Sequence, residues 1–116
     1  MGEIVRLDPG PRMSRAVVYG GLLYSSGHVA AQPGDLASQT RDVLAKLDDV
    51  LAQAGSSRSR ILNANVWLAD IGDFDVMNEV WESWIDRSAP PARATVESRL
   101  AGPEYRIEIA IVAAVP

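Results

Sequence analysis

Hydrophobic and polar positions alternate with a period of two in several short stretches and recur every three or four positions in two longer ones. Residues 4–8 form a short strand-like run that Pro9, Gly10 and Pro11 break. Residues 15–19 and 22–26 flank Gly20-Gly21, a two-residue hairpin signal because glycine reaches positive φ without steric cost. Gly27-His28 follows, then a loop containing Pro33-Gly34. Residues 35–54 predict a helix. Asp35 can cap it, Leu36, Val43, Leu47, Val50, Leu51 and Ala54 share one face, Asp42 and Lys46 stand four apart, and Gly55 ends it. After a polar connector, residues 60–70 alternate again, with Leu62, Ala64, Val66 and Leu68 in one row and Asn63, Asn65 and Trp67 in the other, as a strand central to a sheet would. Gly72-Asp73 opens a second helix, from 74 to about 86, with the stripe Phe74, Met77, Trp81, Trp84 and Ile85. Asn78 lies inside that stripe, so its amide needs a partner or an edge.

Residues 91–109, PARATVESRLAGPEYRIEI, read as two strands joined by a turn at Gly102-Pro103. Ala92, Ala94 and Val96 alternate with Arg93, Thr95 and Glu97; Ile107, Ile109 and Ile111 alternate with Arg106, Glu108 and Ala110. If both strands bury their more apolar rows against one layer, Arg93 and Glu108 share the other face. The order β-β-β-α-β-α-β-β, about six strands and two helices, predicts an α+β two-layer fold with both helices on one face of a mixed sheet. Two helices cannot cover both faces, yet the last strand is apolar on both sides, with Ala110, Val112 and Ala114 beside Ile111, Ala113 and Val115. A second copy of the chain would supply the missing cover, giving a homo-oligomer; alternatively, small residues such as Ala110 and Ala114 tolerate solvent.

Composition narrows the function classes. A length of 116 residues suits one domain spanning 1–116. Eleven basic residues scattered among fifteen acidic ones give a net charge of −4, which disfavours a nucleic-acid surface. The absence of cysteine excludes disulfides, thiol catalysis and thiolate metal sites. The charged N-terminal residues do not resemble a signal peptide, and no apolar run reaches the roughly 20 residues that span a bilayer. The expected setting is soluble and cytoplasmic, with no membrane partner. His28 is the only histidine, so neither a serine triad nor a His-rich metal site is supported.

Pro-Ala-Arg-Ala-x-Val at 91–96 followed by Ile-Glu-Ile at 107–109 resembles the signature of the RidA/YjgF family of enamine/imine deaminases. Ser26-Gly27, Ala54-Gly55, the Leu-Ala-Asp run at 68–70 and the Asp-Phe-x-x-Met-Asn run at 73–78 match in the same order, so the resemblance covers nearly the whole chain. It implies a chorismate-mutase-like fold and a homotrimer with ligand clefts at the subunit interfaces. It also implies hydrolysis of reactive 2-imino or 2-enamino acids to 2-keto acids and ammonia, without metal or organic cofactor.

The motif match assigns roles. Arg93 would anchor the substrate carboxylate, since a guanidinium offers a planar fork of donors; its alternative is an ion pair with Glu97 or Glu108. Glu108 would take a proton from water and return it to the departing nitrogen; its alternative is a charge partner for Arg93 or Arg106. Thr95, Ser26, Gly27 and Asn78 complete the expected substrate-binding set, with Asn78 reaching a neighbouring cleft or bonding within its own chain. Thr95 stands where the family often has cysteine, Met13 where many members have tyrosine, and His28 where glutamine is common. The missing phenol leaves open a non-catalytic trimer that binds a small carboxylate or a protein partner. A ribonuclease or translation-inhibitor role, described for some relatives, is disfavoured by the acidic chain and the lone histidine.

Overall fold

A computed structural model describes residues 2–116. The chain folds as strands β1 (Val5–Leu7), β2 (Ala16–Tyr19), β3 (Leu22–Ser25) and β4 (His28–Val29), helix α1 (Leu36–Gln53), strand β5 (Ile61–Leu68), helix α2 (Phe74–Trp84), and strands β6 (Ala92–Glu97) and β7 (Ile107–Ala114). Short 3-10 turns lie at Arg58–Arg60 and Ile71–Asp73. The sheet runs β1-β2-β3-β7-β5-β6, with β4 paired to β7 beyond the end of β3. Every pairing is antiparallel except β5–β6. The fold is α+β, with seven strands among the described residues rather than about six; the additional strand is β4, where two residues after Gly27 pair with Glu108 and Ile109.

Local chemistry explains the elements. Gly20 and Gly21 both take positive φ, 60° and 80°, and turn β2 tightly into β3. Asp35 accepts the backbone N–H of Ser38 at 2.8 Å and caps α1, and Gly55, at φ 72°, follows its last turn. Helices α1 and α2 share one core with Ala64, Val66 and Leu68 of β5 and with Ile107, Ile109, Ile111 and Ala113 of β7. The molecule is only 19 Å across its shortest axis, as one sheet and one helix layer require. Asp42 and Lys46 do not pair: Asp42 accepts the N–H of Ala31, and Lys46 donates to the carbonyl of Val29. The opening of α2 also differs from expectation. Asp70 rather than Asp73 supplies the capping carboxylate, accepting the Gly72 N–H in the 3-10 turn.

The sheet departs from simple strand alternation in two respects. In β5 a bulge sets Ile61 opposite Ala113 and Asn63 opposite Val112. It turns Ile61 inward and leaves Leu62 half exposed, outside the apolar row to which alternation assigned it. The strands of residues 91–109 are also not a hairpin, because β5 lies between β6 and β7 and residues 98–106 carry the chain across. β6 is therefore an edge strand parallel to β5, with Arg93 beside Ala64 and Thr95 beside Val66. Neighbouring residues in register point to the same face, so Arg93 and Thr95 face the helices. Glu108 pairs with Trp67 and Val29, between the buried Ile107 and Ile109, and faces away from them. Within one chain Arg93 and Glu108 lie on opposite faces. The shared face fails because the Ala92, Ala94 and Val96 row is not buried against the helices; it lies exposed on the helix-free side.

Candidate active site

Arg93 is built into the seam between β6 and α2. Its Nη2 donates to Asn78 Oδ1 at 2.7 Å, and its Nη1 points to the Met77 sulfur at 3.9 Å. The guanidinium carbon lies 5.2 Å from the Trp81 ring centre and 5.9 Å from that of Phe74. Aromatic faces and an amide orient the cation without neutralising it. Among the described residues no carboxylate forms an ion pair with Arg93, so neither Glu97 nor Glu108 takes that role. Burial lowers its pKa, and the charge of Glu82 opposes that effect. Arg93, Asn78, Trp81, Glu82, Ile85, Arg87 and Pro90 line an open cavity of ≈ 400 Å³. Thr95, two residues along the same face, has a buried hydroxyl with no hydrogen-bond partner among the described residues. An unpartnered polar atom of that kind is costly unless something satisfies it.

Glu108 occupies the helix-free face, against the turn that enters β4. A Cβ at Gly27 would overlap Glu108 Oε2 and come within 2.8 Å of its Cδ, so only glycine lets the carboxylate lie there undisturbed. The Ser26 hydroxyl and N–H both donate to the Arg15 carbonyl, at 3.1 and 2.9 Å. Ser26 thus fastens the turn and does not present a free hydroxyl. A second cavity, of ≈ 390 Å³, opens beside this turn and includes Met13, Arg15, Ser26, Gly27, His28 and Lys46.

The expected site residues therefore fall into two separate groups. Arg93, Thr95 and Asn78 gather on the helix side; Glu108, Gly27 and Ser26 gather around the β4 turn. The first can grip an anion with a pre-oriented guanidinium. The second offers a carboxylate whose position is set by backbone packing. Asn78 bonds within its own chain. Phe74 and Trp81, expected only as members of the apolar stripe, wall the guanidinium, with Trp81 buried in the core and Phe74 39% exposed; their seven-residue spacing around Asn78 was the available signal. Arg15 carried no signal, since its role depends on segments far apart in sequence.

A family model described as endoribonuclease L-PSP matches residues 3–115. A "RutC family protein YoaB" of Escherichia coli is 42% identical over 112 residues, covering 97% of this chain and 98% of that protein. A "RutC family protein" of Haemophilus influenzae is 39% identical over 112 residues, covering 95% and 97%. A crystal structure of a YjgF family member from Neisseria meningitidis superposes with a TM-score of 0.96 at 44% identity, covering 98% of this chain and 96% of that one. A structure from Salmonella typhimurium described as a putative translation initiation inhibitor gives a TM-score of 0.88 at 42% identity, with 97% of each chain covered.

Proposed function

The chain belongs to the YjgF/RidA family, whose model carries the endoribonuclease L-PSP description, and on that basis we propose that it hydrolyses 2-imino or 2-enamino acids to 2-keto acids and ammonia. One observation carries the reading: Arg93 is a half-buried, oriented guanidinium with no carboxylate partner among the described residues, opening on a cavity. A 2-imino acid brings a carboxylate to that fork and sets its C=N carbon beside it. Water adds through oxygen to this carbon, and Glu108 accepts the proton that water loses. Glu108 returns the proton to nitrogen, giving a carbinolamine; it then takes the proton of the new hydroxyl and passes it to the NH2 group as the C–N bond breaks, so that the ketone forms and ammonia leaves. The Thr95 hydroxyl, unpartnered among the described residues, is buried and outside the lining of the Arg93 cavity, so it would meet the substrate or the attacking water only once uncovered. Asn78 holds Arg93 in place.

Arg93 and Glu108 lie on opposite faces of one chain, so a site that uses both takes one from each of two copies. The helix-free face supports that assembly. Tyr19, Tyr24 and Val96 are 43%, 46% and 49% exposed there, beside half-buried Val17, Leu22, Val112, Ala110 and Ala114. A face this apolar calls for a cover, and a homotrimer with clefts at its interfaces supplies one. An endoribonuclease role fits the chain less well. Its net charge is −4, and its one histidine is buried and hydrogen-bonded.

The test is 2-keto acid release from imines generated in situ by an amino-acid oxidase. Wild-type protein should accelerate release over buffer, and Arg93→Ala should abolish the acceleration while the assembly persists. No acceleration by wild type across several amino-acid precursors overturns the deaminase reading and leaves a trimeric carboxylate-binding protein.

A further inference from the structure

His28 is the only histidine, and it is 7% exposed. It pairs with Ile109 in β4, so its ring points toward the helices while Gly27 and Glu108 lie on the other face. Its Nδ1 is 2.8 Å from the Ser26 carbonyl, and its Nε2 is 3.3 Å from Arg15 Nε. Both neighbours fix the tautomer. A carbonyl oxygen can only accept, so Nδ1 carries the proton; a guanidinium can only donate, so Nε2 must be the bare nitrogen. Arg15 is itself tied to α1, through Nη1 to Asp49 at 2.6 Å and Nη2 to the Lys46 carbonyl at 3.0 Å. Its own carbonyl receives both donors of Ser26. A continuous set of hydrogen bonds thus runs from α1 through Arg15 and His28 to the Ser26-Gly27 turn, and that turn packs directly against Glu108.

We propose that neutral His28 is a positioning residue that holds the Ser26-Gly27 turn, and through it Glu108, and that protonation of its Nε2 releases this hold. A protonated ring would set a second N–H against the donor of Arg15. The groups facing the ring add to the conflict. Arg15 approaches from the segment before β2 and Lys46 from α1; Asp49 of α1 and Asp8 before Pro9 are both engaged with Arg15, at 2.6 and 3.6 Å. Burial first, and then the Arg15 and Lys46 charges, lower the His28 pKa from its ordinary 6.5, although the bond to Ser26 opposes them. The sign follows. Because the folded pKa is depressed, the neutral arrangement is complete above the unfolded value and is lost as pH falls through the folded one. The link from the turn to catalysis rests on the deaminase reading; the link from His28 to the turn does not.

Glutamine makes the discriminating variant, since its amide can donate to the Ser26 carbonyl and accept from Arg15 without titrating. With one histidine, the imidazole C2–H signal in a proton spectrum needs no assignment, and it reports the His28 pKa directly. The Gly27 amide signal of the wild-type protein should shift with that same midpoint, and in His28→Gln it should not. A Gly27 amide that ignores the His28 midpoint overturns the proposal whatever the activity, and needs no variant to fold. For activity, the ratio of wild-type to His28→Gln kcat/KM cancels the titration of the substrate. That ratio should fall by half at the His28 midpoint; a ratio flat through the midpoint refutes the catalytic link.

Discussion

A guanidinium held by Phe74, Trp81 and an amide keeps its charge available, whereas a carboxylate partner would have consumed it. Of this arrangement the sequence carried the identity of Arg93, through its motif, and the awkward polar position of Asn78. It could not show that the two meet, because their contact joins an edge strand to a helix fifteen positions away. Glu108 depends in a different way on a neighbour with no side chain. At Gly27 a Cβ would strike Glu108 Oε2, the far end of a flexible side chain, so Gly27→Ala should fold but displace the carboxylate. The expected result is a kcat loss of about tenfold or more, the scale at which misplacing a catalytic group is felt, with little change in melting temperature. Keto acid release and a thermal melt on the same sample check it. Unchanged turnover would mean that Glu108 does not handle the proton.

At the scale of elements, helices were easier to read than the sheet. The face of α1 from Leu36 to Leu51 and its Asp35 cap lie as their spacing predicts, because helical periodicity and capping are local. The sheet depends on non-local pairing. A bulge in β5 moved Leu62 out of its row, and the insertion of β5 between β6 and β7 turned an apparent hairpin into two separated strands. A parallel partner cannot be read from one strand's alternation, so the face of Arg93 was open until β5 fixed it. What joins the two helices was also invisible. Asp48 of α1 accepts from Arg58 Nε and Nη2, each at 2.8 Å, and from Trp84 Nε1 of α2 at 3.0 Å, while Arg58 lies over the Trp84 ring. Asp48→Ala would strand the Trp84 N–H, which is largely buried, and free Arg58. The ion pair is too exposed to contribute much by itself; the unsatisfied indole sets a loss of about 1–2 kcal/mol. Urea unfolding of the two proteins measures it, and Asp48→Asn, which keeps an acceptor, should recover a substantial part.

At the scale of the molecule, the proposed deaminase needs more than one chain, because Arg93 and Glu108 lie on opposite faces. On that proposal one chain supplies an anchor to one cleft and a carboxylate to another, but not both to the same ligand. Arg93→Ala and Glu108→Gln should each be inactive alone. If protomers of the two variants are unfolded together and refolded as mixed rings, a cleft recovers both groups whenever its Arg93 comes from a Glu108→Gln chain and its Glu108 from an Arg93→Ala chain. For random mixing in a cyclic homotrimer that is about a quarter of all clefts, so activity should return to about a quarter of wild type. The double variant Arg93→Ala/Glu108→Gln mixed with Arg93→Ala should return none, since no chain then provides an arginine. A single-chain site predicts the opposite: the first mixture stays inactive, because every chain lacks one of the two groups. Light scattering on the mixture must show a mass above that of one chain. A monomer with full activity would refute the shared cleft together with the covered sheet face from which it was inferred.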